Sequence, residues 1–350
     1  MRKNYTLTIC LILVLCMNKI NAQLTDVITN INEPTAVYLN GTELYFGDYS
    51  GGLSKVDLNS SAQPITVLTA NGTYRIVADG NDLYVTRNND GIISKLDISQ
   101  TNPVPSDVIN NLSLPEGIVI NGNELYFAEF NMNQISKIDI SNPNPIKTIV
   151  ATGFSGPSGI ALIDDFLFVA EWTSGKISKI DITLANPSPI DVITNLNNPT
   201  EVISNGDNLI VSEFSANKVI TIDISNPTTP VVSDLITNIN QPTGMFINGS
   251  DLYISVFGDN KIVKLSDFAL SLQDLSNTNQ KIKLFPNPAS DFVTISGIED
   301  NQNYSIFNNL GAKILNGKII NSGYINIENL ASGLYILKFD NGNAIKFIKE

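Results

Sequence analysis

Gly117-Ile-Val-Ile120, Asn121-Gly122-Asn123, Leu125-Tyr-Phe-Ala-Glu-Phe130, Gln134-Ile-Ser-Lys-Ile-Asp-Ile140, Asn142-Pro-Asn-Pro145 and Lys147-Thr-Ile-Val-Ala151 follow one another in the middle of the chain. Apolar residues recur here with a period of two, as in strands whose successive side chains face opposite ways. The interruptions are Asn-Gly and Pro-rich, the chemistry of tight turns. This stretch therefore predicts four short strands joined as a meander.

The unit repeats. Asp107-Val-Ile-Asn-Asn111 recurs as Asp26-Val-Ile-Thr-Asn30, Asp191-Val-Ile-Thr-Asn195 and Asp234-Leu-Ile-Thr-Asn238, with divergent copies at Thr66-Val-Leu68 and Thr148-Ile-Val150. Their central residues, Val27, Val67, Val108, Ile149, Val192 and Leu235, are 40, 41, 41, 43 and 43 positions apart. A Ser-Lys-x-Asp segment keeps step at Ser54–Asp57, Ser94–Asp97, Ser136–Asp139 and Ser178–Asp181, and is degraded at Ile220–Asp223. Four strands repeated about every 40 residues predict an all-β, six-bladed propeller of four-stranded antiparallel blades over residues 24–267. The chain opens with a lone outer strand, and its sixth unit ends after three strands near Lys264-Leu265. The opening strand is therefore expected to close the last blade, removing edges that would invite aggregation. An open solenoid is the alternative, but it needs capping repeats that the pattern lacks.

The chain has 350 residues, a net charge of −13 and 43% hydrophobic residues, enough for packed cores. Such acidity argues against a nucleic-acid partner. Histidine is absent, which excludes a Ser-His-Asp triad, a Cys-His pair and every His-ligated metal site. Arg2 and Lys3, an apolar run from Leu7 to Leu15 and the small residue Ala22 have the order of a secretory signal peptide, residues 1–22. The rival, an uncleaved anchor, would need about 20 apolar residues, so no transmembrane helix is expected in the mature chain. Cys10 and Cys16 both fall in the removed segment. The mature chain then carries 18 basic and 34 acidic residues, a charge of −16, and no thiol or disulfide.

Tyr126-Phe-Ala-Glu129, Ile135-Ser-Lys-Ile-Asp139 and Gly156-Pro-Ser-Gly159 resemble the YWTD and NHL six-bladed propellers, a resemblance that speaks to architecture. After a polar linker, 268–281, the rhythm changes. Pro286-Asn287-Pro288, Gly311 with Lys313, Gly333-Leu-Tyr335 and a closing Lys346-Phe-Ile-Lys349 occur in that order within residues 282–350. Together they resemble the type A C-terminal sorting domain of the Bacteroidota type IX secretion system, expected as a small β-sandwich. A plain carbohydrate-binding or fibronectin-like sandwich is the alternative. The resemblance implies export through the periplasm, with the translocon and its sortase as partners, and a surface-tethered or released propeller.

Candidate site residues come from the rim where second strands end. Asp48, Glu129, Glu171 and Glu213 are equivalent positions, with Arg87 and Val256 in the other blades. Next to them stand Tyr49, Phe130, Trp172, Phe214 and Phe257, with Asn88 the exception. The acids and Arg87 could bind a cation or polar ligand at the channel mouth, with a sugar or peptide stacking on Trp172. Alternatively, each acid accepts hydrogen bonds from the next blade's backbone and each aromatic wedges between blades. The Ser-Lys-x-Asp residues are expected as solvated Lys and Asp pairs on a partly exposed strand. Tyr74-Arg75 departs from the Pro-x-Gly that opens other blades. No catalytic residue, metal site or cofactor is assigned. Two functions follow: recognition of an extracellular protein or glycan without catalysis, or a metal-dependent, lactonase-like hydrolase resembling the gluconolactonase propellers. The second would need a channel-bound divalent cation held by acids deep in the channel, and no such set is legible.

Overall fold

A computed structural model describes residues 24–226, 228–266, 268, 283–296, 302–308, 313–319, 323–339 and 344–350. The expected signal peptide, the linker apart from Phe268, and Gly311 lie outside the described residues. Backbone contacts divide the chain into two compact units, residues 1–268 and 269–350.

The first unit is a six-bladed propeller. Blades 1 to 5 run Pro34–Leu68, Thr73–Ile109, Pro115–Thr152, Pro157–Thr194 and Pro199–Thr237, each a four-stranded antiparallel meander in chain order. Blade 6 has three strands of its own, Pro242–Asn248, Asp251–Val256 and Lys261–Leu265, and its fourth is Leu24–Thr29. The clasp pairs Leu24 with Leu265 and Thr29 with Lys261. The fold thus matches the periodicity. Apolar layers lie between successive blades: Tyr126, Ile135 and Ala151 of blade 3, for example, pack on Ile160, Leu167 and Val169 of blade 4. Burial of this kind, at about 25 cal/mol per Å², is the dominant stabilising term.

The repeat residues each have a local task. In five blades the Asp of Ser-Lys-x-Asp accepts the backbone N–H two residues on, as Asp139 does from Ser141 at 2.9 Å and Asp181 from Thr183 at 2.9 Å, and so turns the chain after the third strand. The Lys does not pair with that Asp, as expected, but with an acid at the start of the second strand: Lys55 with Glu43 at 2.7 Å, Lys95 with Asp82 at 2.9 Å and Lys137 with Glu124 at 3.2 Å. Cross-strand pairing explains the change, because Lys55 and Lys95 stand opposite Tyr45 and Tyr84, beside these acids, and their ammonium groups reach over those rings. The Asn that ends Asp-Val-Ile-Thr-Asn adopts the left-handed conformation, with φ of 59° at Asn30 and 65° at Asn195, which Asn tolerates better than most residues.

Three of the innermost strands begin with Pro-x-Gly, at Pro115, Pro157 and Pro242, because they are crowded. Each is bulged near its start, as between Pro115 and Ile118. A Cβ on Gly117 would stand 2.2 Å from the Ser158 carbonyl oxygen of the next inner strand. One on Gly244 would stand 2.4 Å from that of Thr35. The six inner strands thus approach backbone to backbone around a narrow channel.

The second unit is a sandwich of two sheets. One holds Lys283–Phe285, Phe292–Ser296 and Tyr324–Asn326, and the other holds Lys313–Ile319, Gln302–Asn308, Gly333–Phe339 and Ala344–Lys349. Val293, Ile295, Ile306, Ile325, Leu337 and Phe347 form its core. Asn287, between Pro286 and Pro288, accepts the Ile348 N–H at 2.9 Å and donates to the Lys346 carbonyl at 3.2 Å, stapling the opening turn to the closing strand. Tyr335 stacks on Phe347 at 5.6 Å and donates its hydroxyl to the Ala331 carbonyl at 2.9 Å. Lys313 lies over Phe307. Among the described residues no helix is long and apolar enough to cross a membrane.

Candidate functional site

The rim acids are satisfied within their own surroundings. Glu129, Glu171 and Glu213 are buried, and each accepts a backbone N–H from the loop leading into its own blade: Ser113 at 3.2 Å, Ser155 at 2.8 Å and Asn197 at 2.7 Å. The donors thus belong to the preceding connection rather than to the next blade. Ser136 and Ser178 add hydroxyl donors at 2.7 and 2.6 Å, which gives the Ser of Ser-Lys-x-Asp its role. Burial alone would raise the Glu129 carboxyl. Bonds from Ser136, Gln134, Lys147 and the Ser113 N–H more than offset it and hold the group below the usual carboxylate range.

Cations complete these clusters. Lys176 lies 3.6 Å from Glu171 and 2.6 Å from Asp191, and Lys218 bridges Glu213 and Asp234 at 3.3 and 2.9 Å. In blades 4 and 5 the Asp of Asp-Val-Ile-Thr-Asn is therefore the exposed outer end of a charge chain that starts at a buried Glu. Arg87 occupies the acid's place in blade 2 and contacts Asp90 at 2.6 Å and Asp107 at 3.0 Å. Asp48 accepts from Asn32 at 2.9 Å and from the Ser50 N–H at 2.9 Å. Of the proposed ligand-binding set, Trp172 alone lines the channel-mouth cavity.

That cavity holds about 440 Å³ and is walled by one aromatic from each blade: Tyr49, Tyr74, Phe130, Trp172, Phe214 and Phe257. Tyr74, from the inner strand, fills the place that Asn88 leaves. Five of the rings run in an unbroken arc: Trp172 to Phe214 at 5.2 Å, Phe214 to Phe257 at 5.6 Å, Phe257 to Tyr49 at 5.6 Å and Tyr49 to Tyr74 at 5.7 Å. Neighbouring rings are tilted or edge-to-face, the arrangement that their quadrupoles favour. All six are at least partly solvent-accessible.

The floor comes from the second and third residues of the inner strands: Thr35-Ala36, Tyr74-Arg75, Glu116-Gly117, Ser158-Gly159, Thr200-Glu201 and Thr243-Gly244. Arg75 and Glu201 both replace a small residue, and they belong to opposite blades. Their side chains meet in the channel as a buried ion pair. Arg75 also donates to the carbonyls of Thr35 at 3.0 Å, Tyr74 at 2.7 Å and Thr200 at 2.7 Å. It closes the channel. Beyond it lies a second cavity of about 410 Å³, lined by Glu201, Val77, Ile118, Leu162 and Phe246 among others.

Glu116 stands on the aromatic side of this plug. Ser158 Oγ is 2.6 Å from its carboxyl and 2.9 Å from the Thr200 carbonyl, so the single hydroxyl proton serves one of them at a time. Asn88 is 3.4 Å away. Burial pushes Glu116 up to about 7 against the pull of Ser158, Arg75 and Asn88. Burial also raises Glu201, against Arg75. The protonated Glu116 can donate to Ser158, which then donates to Thr200. Sequence reading singled out Arg75 as a departure but missed Glu116, Ser158 and Glu201. Aligning the openings of the six inner strands exposes the charged ones: Arg75 and Glu201 stand where the other four blades have Ala or Gly, and Glu116 stands where four blades have Ser or Thr.

No group of three or more acids or cysteines that could hold a metal ion occurs among the described residues. Glu116, Asn88 and Ser158 offer one carboxylate and neutral oxygens, short of the six to eight ligands calcium prefers, so the cavity does not fit a divalent-ion centre.

Residues 283–350 match the family model of the secretion system C-terminal sorting domain. The tail is a type IX secretion sorting domain. It directs the chain through the periplasm to the cell surface or extracellular space. No curated protein matches the sequence significantly. Solved propellers do match in structure. Virginiamycin B lyase from Staphylococcus aureus is 17% identical with a TM-score of 0.51, covering 70% of this chain and 99% of its own. The PQQ-bound aldose sugar dehydrogenase from Streptomyces coelicolor is 14% identical with a TM-score of 0.53, covering 70% and 98%. A chain of a nidogen/laminin complex is 16% identical with a TM-score of 0.50, covering 63% and 84%. At such identities the likeness carries the fold and not the activity.

Proposed function

We propose that the exported propeller is a recognition module, without catalysis, that takes a group of an extracellular protein or glycan into the aromatic-walled mouth of its channel. The observation that carries this reading is the convergence of six accessible aromatics, one per blade, on a cavity whose floor is sealed by Arg75. Accessible apolar rings around a few placed polar groups are the usual make-up of a ligand pocket, and 440 Å³ is within the usual range of about 300–1,000 Å³. After export the tail is read by the outer-membrane translocon and removed by its sortase, and the propeller is tethered or released.

Trp172 is the sole tryptophan and reports on this cavity alone. Titrating the purified chain with neutral oligosaccharides and peptides while following its fluorescence should give a saturable shift for a subset of them. Phe214→Ala should weaken that binding at least tenfold. A panel that leaves the emission unchanged would count against the reading.

The lactonase-like alternative has one feature in its favour, a buried carboxyl in a cavity with its pKa near neutrality, as a general acid or base requires. Against it stands the lack of a gathered metal-ligand set among the described residues. Lyase chemistry fits less well: a catalytically inactive form of the virginiamycin B lyase carries alanine for a histidine, and this chain has no histidine.

A further inference from the structure

We propose that the group entering the aromatic cavity is an organic ammonium ion, whose positive charge completes an unbalanced buried charge set on the channel floor. The proposal rests on the recognition reading above and assigns its ligand chemistry. Two carboxyls, Glu116 and Glu201, are buried in the channel with a single guanidinium, Arg75, between them. Arg75 Nε faces Glu201, and its remaining bonds go to the carbonyls of Thr35, Tyr74 and Thr200, so no donor of Arg75 reaches Glu116. Glu116 has only neutral partners, Ser158 and Asn88. A buried carboxylate without a paired countercharge is costly, and Arg75, already paired with Glu201, attracts Glu116 only through space. Either a proton or a cation from outside must fill the deficit.

The walls select the kind of cation. A small inorganic ion wants a shell of oxygens, and six aromatic rings cannot provide one. An alkylammonium is weakly hydrated and is attracted to ring faces, most strongly where water is excluded. The chain around it adds a long-range pull, since the whole sequence carries a net charge of −13. Glu116 then plays the part of the anion at the base of an aromatic cage. Arg75, Glu201 and the Tyr74 hydroxyl are the other titratable groups facing it. Binding of the cation favours the ionised carboxylate and expels its proton.

The test uses the full chain and Trp172 emission. Choline and lysine amide are the cationic probes, and 3,3-dimethylbutan-1-ol is the neutral isostere of choline. The expected result is saturable binding of at least one cation, at least tenfold tighter than the isostere. Whichever of the two binds tighter identifies the source as a quaternary headgroup or a peptide lysine. Calorimetry at pH 6 in two buffers of different ionisation enthalpy should show release of about one proton per cation bound. Glu116→Gln should abolish both the preference and the proton release. Equal binding of the isostere, calcium chloride competing as well as choline, or an unchanged preference in Glu116→Gln would each overturn the proposal. Neutral sugars or peptides that bind where both ammonium probes fail would overturn it while leaving the recognition reading intact. The wild-type comparisons stand even if the variant folds poorly.

Discussion

Glu116 sits where the inner strands of four other blades place Thr or Ser, and its environment sets a pH dependence with a definite sign. Its carboxyl is raised to about 7 by burial. An acid whose folded pKa lies above the unfolded one contributes stability that is present below the unfolded value, about 4.3, and lost as pH rises through about 7. Glu116→Gln should therefore stabilise the propeller at pH 8 to 9 by up to ~3 kcal/mol, with the gain shrinking toward pH 5. Urea unfolding at the two pH values measures it, and a gain independent of pH would show that the carboxyl is not the cause. Glu129 behaves oppositely. Its pKa is depressed, so its contribution is present above the unfolded value and lost as pH falls through the folded one.

The clasp is where a single strand carries closure. Leu24–Thr29 pairs along the whole of Lys261–Leu265, its Val27 and Ile28 pack on Val37, Phe46 and Ile262, and Asp26 meets Lys261 at 3.0 Å. Ile31 and Glu33 continue the join through Asn260, at 3.1 and 2.9 Å. Removing residues 24–29 leaves blade 6 with an open edge and two aliphatic side chains' worth of exposed core. The expected loss is about 3 kcal/mol or more, with aggregation on heating. Denaturant midpoints and light scattering would show it, and an unchanged midpoint would mean that the ring closes without the clasp.

Across the whole propeller, Arg75 ties blades that are not neighbours. It reaches blade 1 through Thr35 and blade 5 through Thr200 and Glu201. Truncating one partner of a buried pair is costlier than the pair is worth, because it strands the other charge. Arg75→Ala should lose about 3–5 kcal/mol at neutral pH, and part of the loss should return when Glu201→Gln is added. A double-mutant cycle in urea measures the coupling, with additivity of the two changes as the result that would refute it.

Six copies in register, the alternation within each, and the incomplete sixth unit made the ring and its clasp legible from residues alone, because strand period and turn chemistry are local properties. The sorting tail was legible for the same reason, as a fixed order of short motifs. Charge placement was not. Glu129, Glu171 and Glu213 form a repeated series in the sequence, yet the fold turns them onto loop N–H groups and lysines. Glu116 and Glu201, which look unremarkable along the chain, are brought from blades 3 and 5 to the same axis as Arg75 of blade 2. Only closure of the ring decides which side chains share that axis, since it places residues 42 to 126 positions apart within a few ångströms of one another.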